Sequence, residues 1–127
     1  MNAPARLAPL FFAALALASP AGAASPGDLA GDWVVDLRSK LDAPAYTKAM
    51  LLTVAADGAV TGSFYDSTIE AGRAAVSKGR TCVAFRTSDG KAPYHSSGCL
   101  VGERIEGQTW SEGRNFLMTW TAVRKAK

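Results

Sequence analysis

From Leu29 onward, apolar and polar residues alternate with a period of two, in short runs separated by turn residues. Residues 33–38 open the series: Trp33, Val35 and Leu37 share one face, and Asp32, Val34, Asp36 and Arg38 the other. A loop with Asp42, Ala43 and Pro44 follows, then a second run over residues 48–56. Asp57-Gly58 tolerates the positive φ that a two-residue hairpin turn demands, and residues 59–66 return as a third run. Residues 67–78 are ambiguous. Ile69 and Val76 flank small residues there, which fits a weak fourth strand or a helical turn over residues 71–76. Four clearer runs follow at residues 80–87, 94–101, 105–111 and 115–124, each set off by Gly, Asp or Pro. Helix signals are nearly absent after residue 24. Eight short runs joined by hairpin-length turns predict an all-β fold, an eight-stranded antiparallel up-and-down (meander) barrel. Closure removes exposed strand edges.

One hairpin can be tested inside the sequence. Pairing the fifth and sixth runs about a turn at residues 89–92 sets Phe85 opposite Ser96 and Val83 opposite Gly98. The same register sets Cys82 opposite Cys99, so the only two cysteines are predicted to form a disulfide. Alternation then turns Val83, Phe85, Tyr94, Ser96, Gly98 and Leu100 inward, and Cys82, Ala84, Arg86, His95, Ser97 and Cys99 outward. In the last run Phe116, Met118, Trp120 and Ala122 share one face, and Leu117, Thr119, Thr121 and Val123 the other. Both faces are apolar enough to be buried. If the bulky face points outward, it offers a partner patch and a route to an oligomer.

The first 24 residues read differently. Arg6, an apolar stretch over residues 7–18, the break at Ser19-Pro20 and the small residues Ala21-Gly22-Ala23 fit a secretory signal, cleaved after Ala23 or Ala24. The apolar stretch holds about 12 residues, against the roughly 20 that a membrane span needs. Residues 25–127 are then one exported domain, periplasmic or extracellular, where a cysteine pair oxidises readily. The whole chain of 127 residues is 48% hydrophobic and 20% charged with a net charge of +3, which bounds it to a single small domain. Arg124, Lys125 and Lys127 account for as much charge as the entire excess. The other basic residues are interleaved with acids, so no nucleic-acid face is expected.

Catalytic chemistry finds little support. His95 is the only histidine, and it neighbours Ser96 and Ser97; consecutive strand residues face opposite ways, so His95 and Ser96 do not meet. Two cysteines and one histidine without a Cys-x-x-Cys spacing make a poor zinc set, and no metal or cofactor is expected. Asp36, Asp66, Glu70 and Glu112 show no spacing that sets up a paired-carboxylate site. Gly58, Gly62 and Gly72 are turn and strand glycines, not a phosphate loop. A non-enzymatic protein is the expectation.

Leu29-Ala30-Gly31-Asp32-Trp33, opening the first strand of a small meander, resembles the calycin superfamily of lipocalins, fatty-acid-binding proteins and avidins. That resemblance implies a Trp33 closing one barrel end beneath an arginine from the last strand, a role that Arg124 matches; guanidinium stacks well on an indole face. Residues 31–39, 56–64 and, more weakly, 105–110 are similar to avidin segments. The resemblance implies a biotin-type site, and Ser39 is retained from it. Val35 replaces an asparagine, Phe64 replaces a tyrosine, and the segment supplying a last acidic or amide ligand is missing. Lost hydrogen bonds of this kind cost about 1–3 kcal/mol each, so biotin itself is not expected.

The inward residues Ser96, Thr109 and Ser111, beside Tyr94, Phe64 and Ser39, are the candidate binding set at the open barrel end. Small residues leave room, and hydroxyls can orient a small apolar or amphipathic ligand. Should large side chains from other strands fill that space, the interior is only a core. A different function is suggested by a similarity to small periplasmic inhibitors of bacterial metalloproteases, which carry an N-terminal arm before a Leu-x-Gly-x-Trp motif. On that reading residues 25–28, beginning at Ser25, enter the cleft of a secreted protease.

Overall fold

The computed structural model describes residues 2–13 and 22–127. Residues 2–13 have no regular secondary structure, and much of the signal-like segment, including Ser19-Pro20 and Ala21, lies outside the described residues. Among the described residues the strands are β1 (Gly31–Asp36), β2 (Thr47–Val54), β3 (Ala59–Phe64), β4 (Ser67–Thr68), β5 (Glu70–Ser77), β6 (Arg80–Ser88), β7 (Pro93–Val101), β8 (Arg104–Ser111) and β9 (Phe116–Arg124). Setting aside the two-residue β4, each strand pairs antiparallel with the next, and β9 returns to β1 through Trp33↔Arg124 and Val35↔Ala122. The result is a closed eight-stranded up-and-down barrel. No helix among the described residues is long and apolar enough to cross a membrane.

The β6–β7 hairpin has the register expected from its sequence: Phe85 faces Ser96, Val83 faces Gly98, and Cys82 faces Cys99. The two sulfurs are bonded, with the Cα atoms 4.0 Å apart. On β9 the ambiguity resolves with the bulky face inward. Trp120 and Ala122 are buried, while Leu117 and Val123 are exposed on the outer wall. Gly107, opposite Trp120 on β8, makes this possible: a Cβ at residue 107 would collide with the indole ring.

One expectation for the middle of the chain needs correction. The third strand stops at Phe64 instead of Asp66, because Tyr65 and Asp66 adopt positive φ (52° and 61°) and reverse the chain into β4. Phe64 pairs with Ser67 across this two-residue turn. The weak strand read in residues 67–78 is present as β5, a full strand bridging β3 and β6, and the alternative helical turn at residues 71–76 does not form. A helix here would leave the backbone groups of β3 and β6 unpaired. Gly72 lets β5 lie against Val60, where a Cβ would meet the carbonyl oxygen.

One end of the barrel is closed by the segment before β1. Ser25 N-caps a short 3-10 helix (Pro26–Leu29), its hydroxyl accepting from the Gly27 N–H at 3.3 Å, while the Asp28 carboxylate accepts from the Ser25 N–H at 3.0 Å. This helix drops Leu29, 0% exposed, into the barrel mouth. Trp33 donates from its indole nitrogen to the Leu29 carbonyl at 2.9 Å. Arg124 lies over the Trp33 ring, 4.3 Å from its centroid, and donates to the Ala30 and Asp28 carbonyls at 2.9 and 2.6 Å. Above this plug Val35, Met50, Leu52, Val83 and Ile105 form a buried apolar core.

Trp33→Ala empties the centre of this plug and should cost about 3–5 kcal/mol in chemical denaturation. A loss below about 1 kcal/mol would mean that the plug does not carry the fold. Opening the Cys82–Cys99 bridge, whose sequence separation is 17, should cost about 3 kcal/mol by loop entropy and leave the barrel's circular dichroism unchanged.

Candidate functional site

The interior changes character halfway along the barrel axis. Phe64 packs edge-on against Phe85 and tilted against Trp120, with ring centroids 5.6 Å apart in both pairs. These three rings are buried and complete the core on the side away from the plug. On the other side of Phe64 lies a cavity of about 530 Å³ at the end of the barrel away from Trp33. That volume suits a small organic molecule.

Its walls come from strand ends and from the turns between them. Leu37, Phe64, Phe116 and Met118 supply an apolar floor and side, and Tyr46, Tyr65 and Tyr94 supply aromatic faces. Tyr94 and Phe116 meet edge to face at 6.0 Å, and Tyr46 and Tyr65 at 6.3 Å. The hydroxyls of Tyr46 and Tyr65 are bonded to each other, and this bond together with partial burial holds the Tyr65 phenol above its ordinary pKa. Lys48 sits over the Tyr65 ring at 4.9 Å, with Asp66 at 3.9 Å from its ammonium.

Across the mouth, Asp89 ties the β6–β7 turn to the β8–β9 turn. One carboxylate oxygen accepts from the Lys91 and Ala92 backbone N–H groups, both at 2.8 Å. The other accepts from the Tyr94 hydroxyl at 2.9 Å and from Arg114, through Nε at 3.1 Å and Nη2 at 2.5 Å. The two backbone donors, then the guanidinium, hold the Asp89 carboxyl far below the usual carboxylate range. Burial and the Asp89 contact push the Tyr94 phenol upward. Every acceptor position on this carboxylate is used.

Of the residues singled out from the sequence, Phe64, Tyr94 and Thr109 line the cavity. Ser96 lies one layer deeper. Its hydroxyl meets that of Thr109 at 2.8 Å, and Thr109 in turn accepts from the Trp120 indole nitrogen at 2.9 Å. This buried triad fixes the Trp120 ring. Ser111, 0% exposed, donates to the Pro93 carbonyl at 2.9 Å and accepts from the Arg114 N–H at 3.3 Å, so its hydroxyl anchors a turn. Ser39 is exposed in the loop after β1, on the border of a wide, shallow hollow on the outer wall with Arg38, Arg73 and Arg80. It does not reach the lumen cavity. That outer hollow is larger but more open than the lumen cavity, and much of its floor is small side chains and backbone.

The sequence reading did not single out Tyr46, Tyr65, Ser67, Thr87, Asp89, Arg114, Phe116 or Met118 as site residues. Thr87 and Met118 could have been found by extending the inward alternation of β6 and β9 to the strand ends. Phe116 belongs to that same inward face of β9 and Ser67 to the short β4, whereas Tyr46, Tyr65, Asp89 and Arg114 lie in turns and loops that meet only once the barrel has closed. His95 is exposed on the outer wall, its ring 5.7 Å from that of Trp110. Among the described residues, no three His, Cys, Asp or Glu side chains converge into a metal-binding group.

The Asp89 contacts make a pH prediction. A carboxyl whose folded pKa lies below its unfolded value of about 3.9 contributes stability above that pH, and the contribution disappears as pH falls toward the folded value. Wild-type protein should therefore melt higher than Asp89→Asn above about pH 4, and the gap should narrow steadily below it. A gap independent of pH would show that Asp89 acts by shape and not by charge. No protein-family model, curated protein or solved structure matches the chain.

Proposed function

We propose that this is an exported, non-enzymatic binding protein that takes a small molecule into the open end of its barrel. The observation that carries the reading is the asymmetry of the lumen. It is solidly packed from Leu29 to the Phe64–Phe85–Trp120 layer and hollow beyond it, with an apolar floor and a polar rim. Optimising stability alone would extend the packing to both ends, since unfilled apolar volume costs stability. Export is supported by the signal-like segment and agrees with the disulfide, which an oxidising compartment maintains.

An avidin-like relationship is compatible with the barrel, but a ureido-type ligand is not supported. Val35 is fully buried in the core, and Ser39 lies outside the cavity. The protease-inhibitor reading has weaker support, because it needs an extended arm. Residues 25–28 are instead folded as a capped 3-10 helix, with the Asp28 carbonyl held by Arg124.

The neutral fluorophore N-phenyl-1-naphthylamine tests the lumen reading. It should bind saturably at one site per chain, and Met118→Trp, which fills the cavity from β9, should reduce affinity at least tenfold. No saturable binding, or binding unchanged by Met118→Trp in a folded variant, would overturn the proposal.

A further inference from the structure

We infer that the ligand is electrically neutral and ring-bearing, with one or two hydroxyl, carbonyl or ester oxygens; this rests on the lumen reading above. The argument begins with the charges. Asp89 and Arg114 are the only charged side chains lining the cavity among the described residues, and they are bonded to each other. Lys48, just outside the wall, has Asp66 as its neighbour. The rim is thus neutral overall, and the Asp89 carboxylate has no acceptor site left for a cation. A charged ligand would give up its hydration on entry without a free countercharge to replace it. A neutral one avoids that loss.

The walls then specify shape. Tyr46, Phe64, Tyr65, Tyr94 and Phe116 surround one space, and their edge-to-face arrangement offers ring faces and ring edges to an inserted ring. An alkyl chain would gain from burial alone, whereas a planar ring also gains from the quadrupoles of these side chains.

The hydroxyls specify polarity. Those of Tyr46, Tyr65, Tyr94 and Thr109 have partners within the protein. Ser67 and Thr87 also line the cavity, and no hydrogen bond among the described residues engages their side chains. Two hydroxyls that can each donate or accept fit one or two ligand oxygens. They provide orientation without demanding charge.

Three probes of matched shape separate this inference from the reading beneath it: 2-naphthylmethanol, 2-naphthoate and 2-naphthylmethylammonium, titrated at pH 7. The alcohol should bind at least tenfold more tightly than either ion, and Thr87→Val should weaken the alcohol about fivefold, the equivalent of one neutral hydrogen bond. Asp89→Asn leaves Arg114 without its countercharge, so it should shift the preference toward the carboxylate. If an ion binds as well as the alcohol, or Asp89→Asn leaves the preference unmoved, the charge argument is overturned while lumen binding stands. The same holds if N-phenyl-1-naphthylamine binds and the alcohol does not. If none of the four binds, both the inference and the lumen reading fail.

Discussion

Arg124 lying on Trp33 joins the end of the chain to its beginning, and the rest of the barrel depends on that junction. The two residues are directly paired across the β1–β9 seam, the one place where an up-and-down meander must find a partner distant in sequence. The guanidinium also satisfies the Ala30 and Asp28 carbonyls, which the 3-10 helix would otherwise leave without partners. Leu29 and Trp33 are both buried at this end and fill the lumen there, leaving only an open hollow outside the plug between Asp28, Arg124 and the β7–β8 turn. Seam, plug and cap are therefore one cooperative unit.

Closing one end so firmly leaves the other free to vary. The strand ends there carry Tyr, Phe and Met side chains that leave a space between them, and the Asp89–Arg114 ion pair ties the β6–β7 turn to the β8–β9 turn at the rim. Buried hydroxyls inside the barrel differ in whether the protein itself bonds them. Ser96 and Thr109 hold Trp120 in place and Ser111 holds the β8–β9 turn, whereas Ser67 and Thr87, whose hydroxyls bond no other group among the described residues, are on the cavity wall. Hydrogen bonds already made inside the protein, and not depth alone, decide which hydroxyls are open to a ligand.

The sequence made some of this legible and hid the rest for physical reasons. Strand positions followed from alternation, and the β6–β7 register followed from a Cys pair that only one alignment brings together. Trp33 and Arg124 were readable because a resemblance pointed to both. The turn at Tyr65-Asp66 was not, since a bulky residue at positive φ breaks the local preference on which turn reading relies. The face of β9 was undecidable from its own residues; the small Gly107 on the neighbouring strand decides it. Of the candidate hydroxyls, Ser96 and Ser111 were assigned to a ligand because alternation gives direction but not partners. Asp89, Arg114 and Tyr46 come from three separate loops, and nothing local to any of them announces the others.

Methyl-resolved NMR of the full domain, titrated with a neutral aromatic alcohol, tests the division of the barrel into a sealed half and a receptive half most directly. The account predicts that the Leu37, Thr87 and Met118 methyl signals shift saturably together, while those of Leu29, Met50, Leu52 and Ile105 stay in place. Shifts confined to Leu117 and Val123 on the outer wall, shifts at the plugged end, or no shifts at all would contradict it.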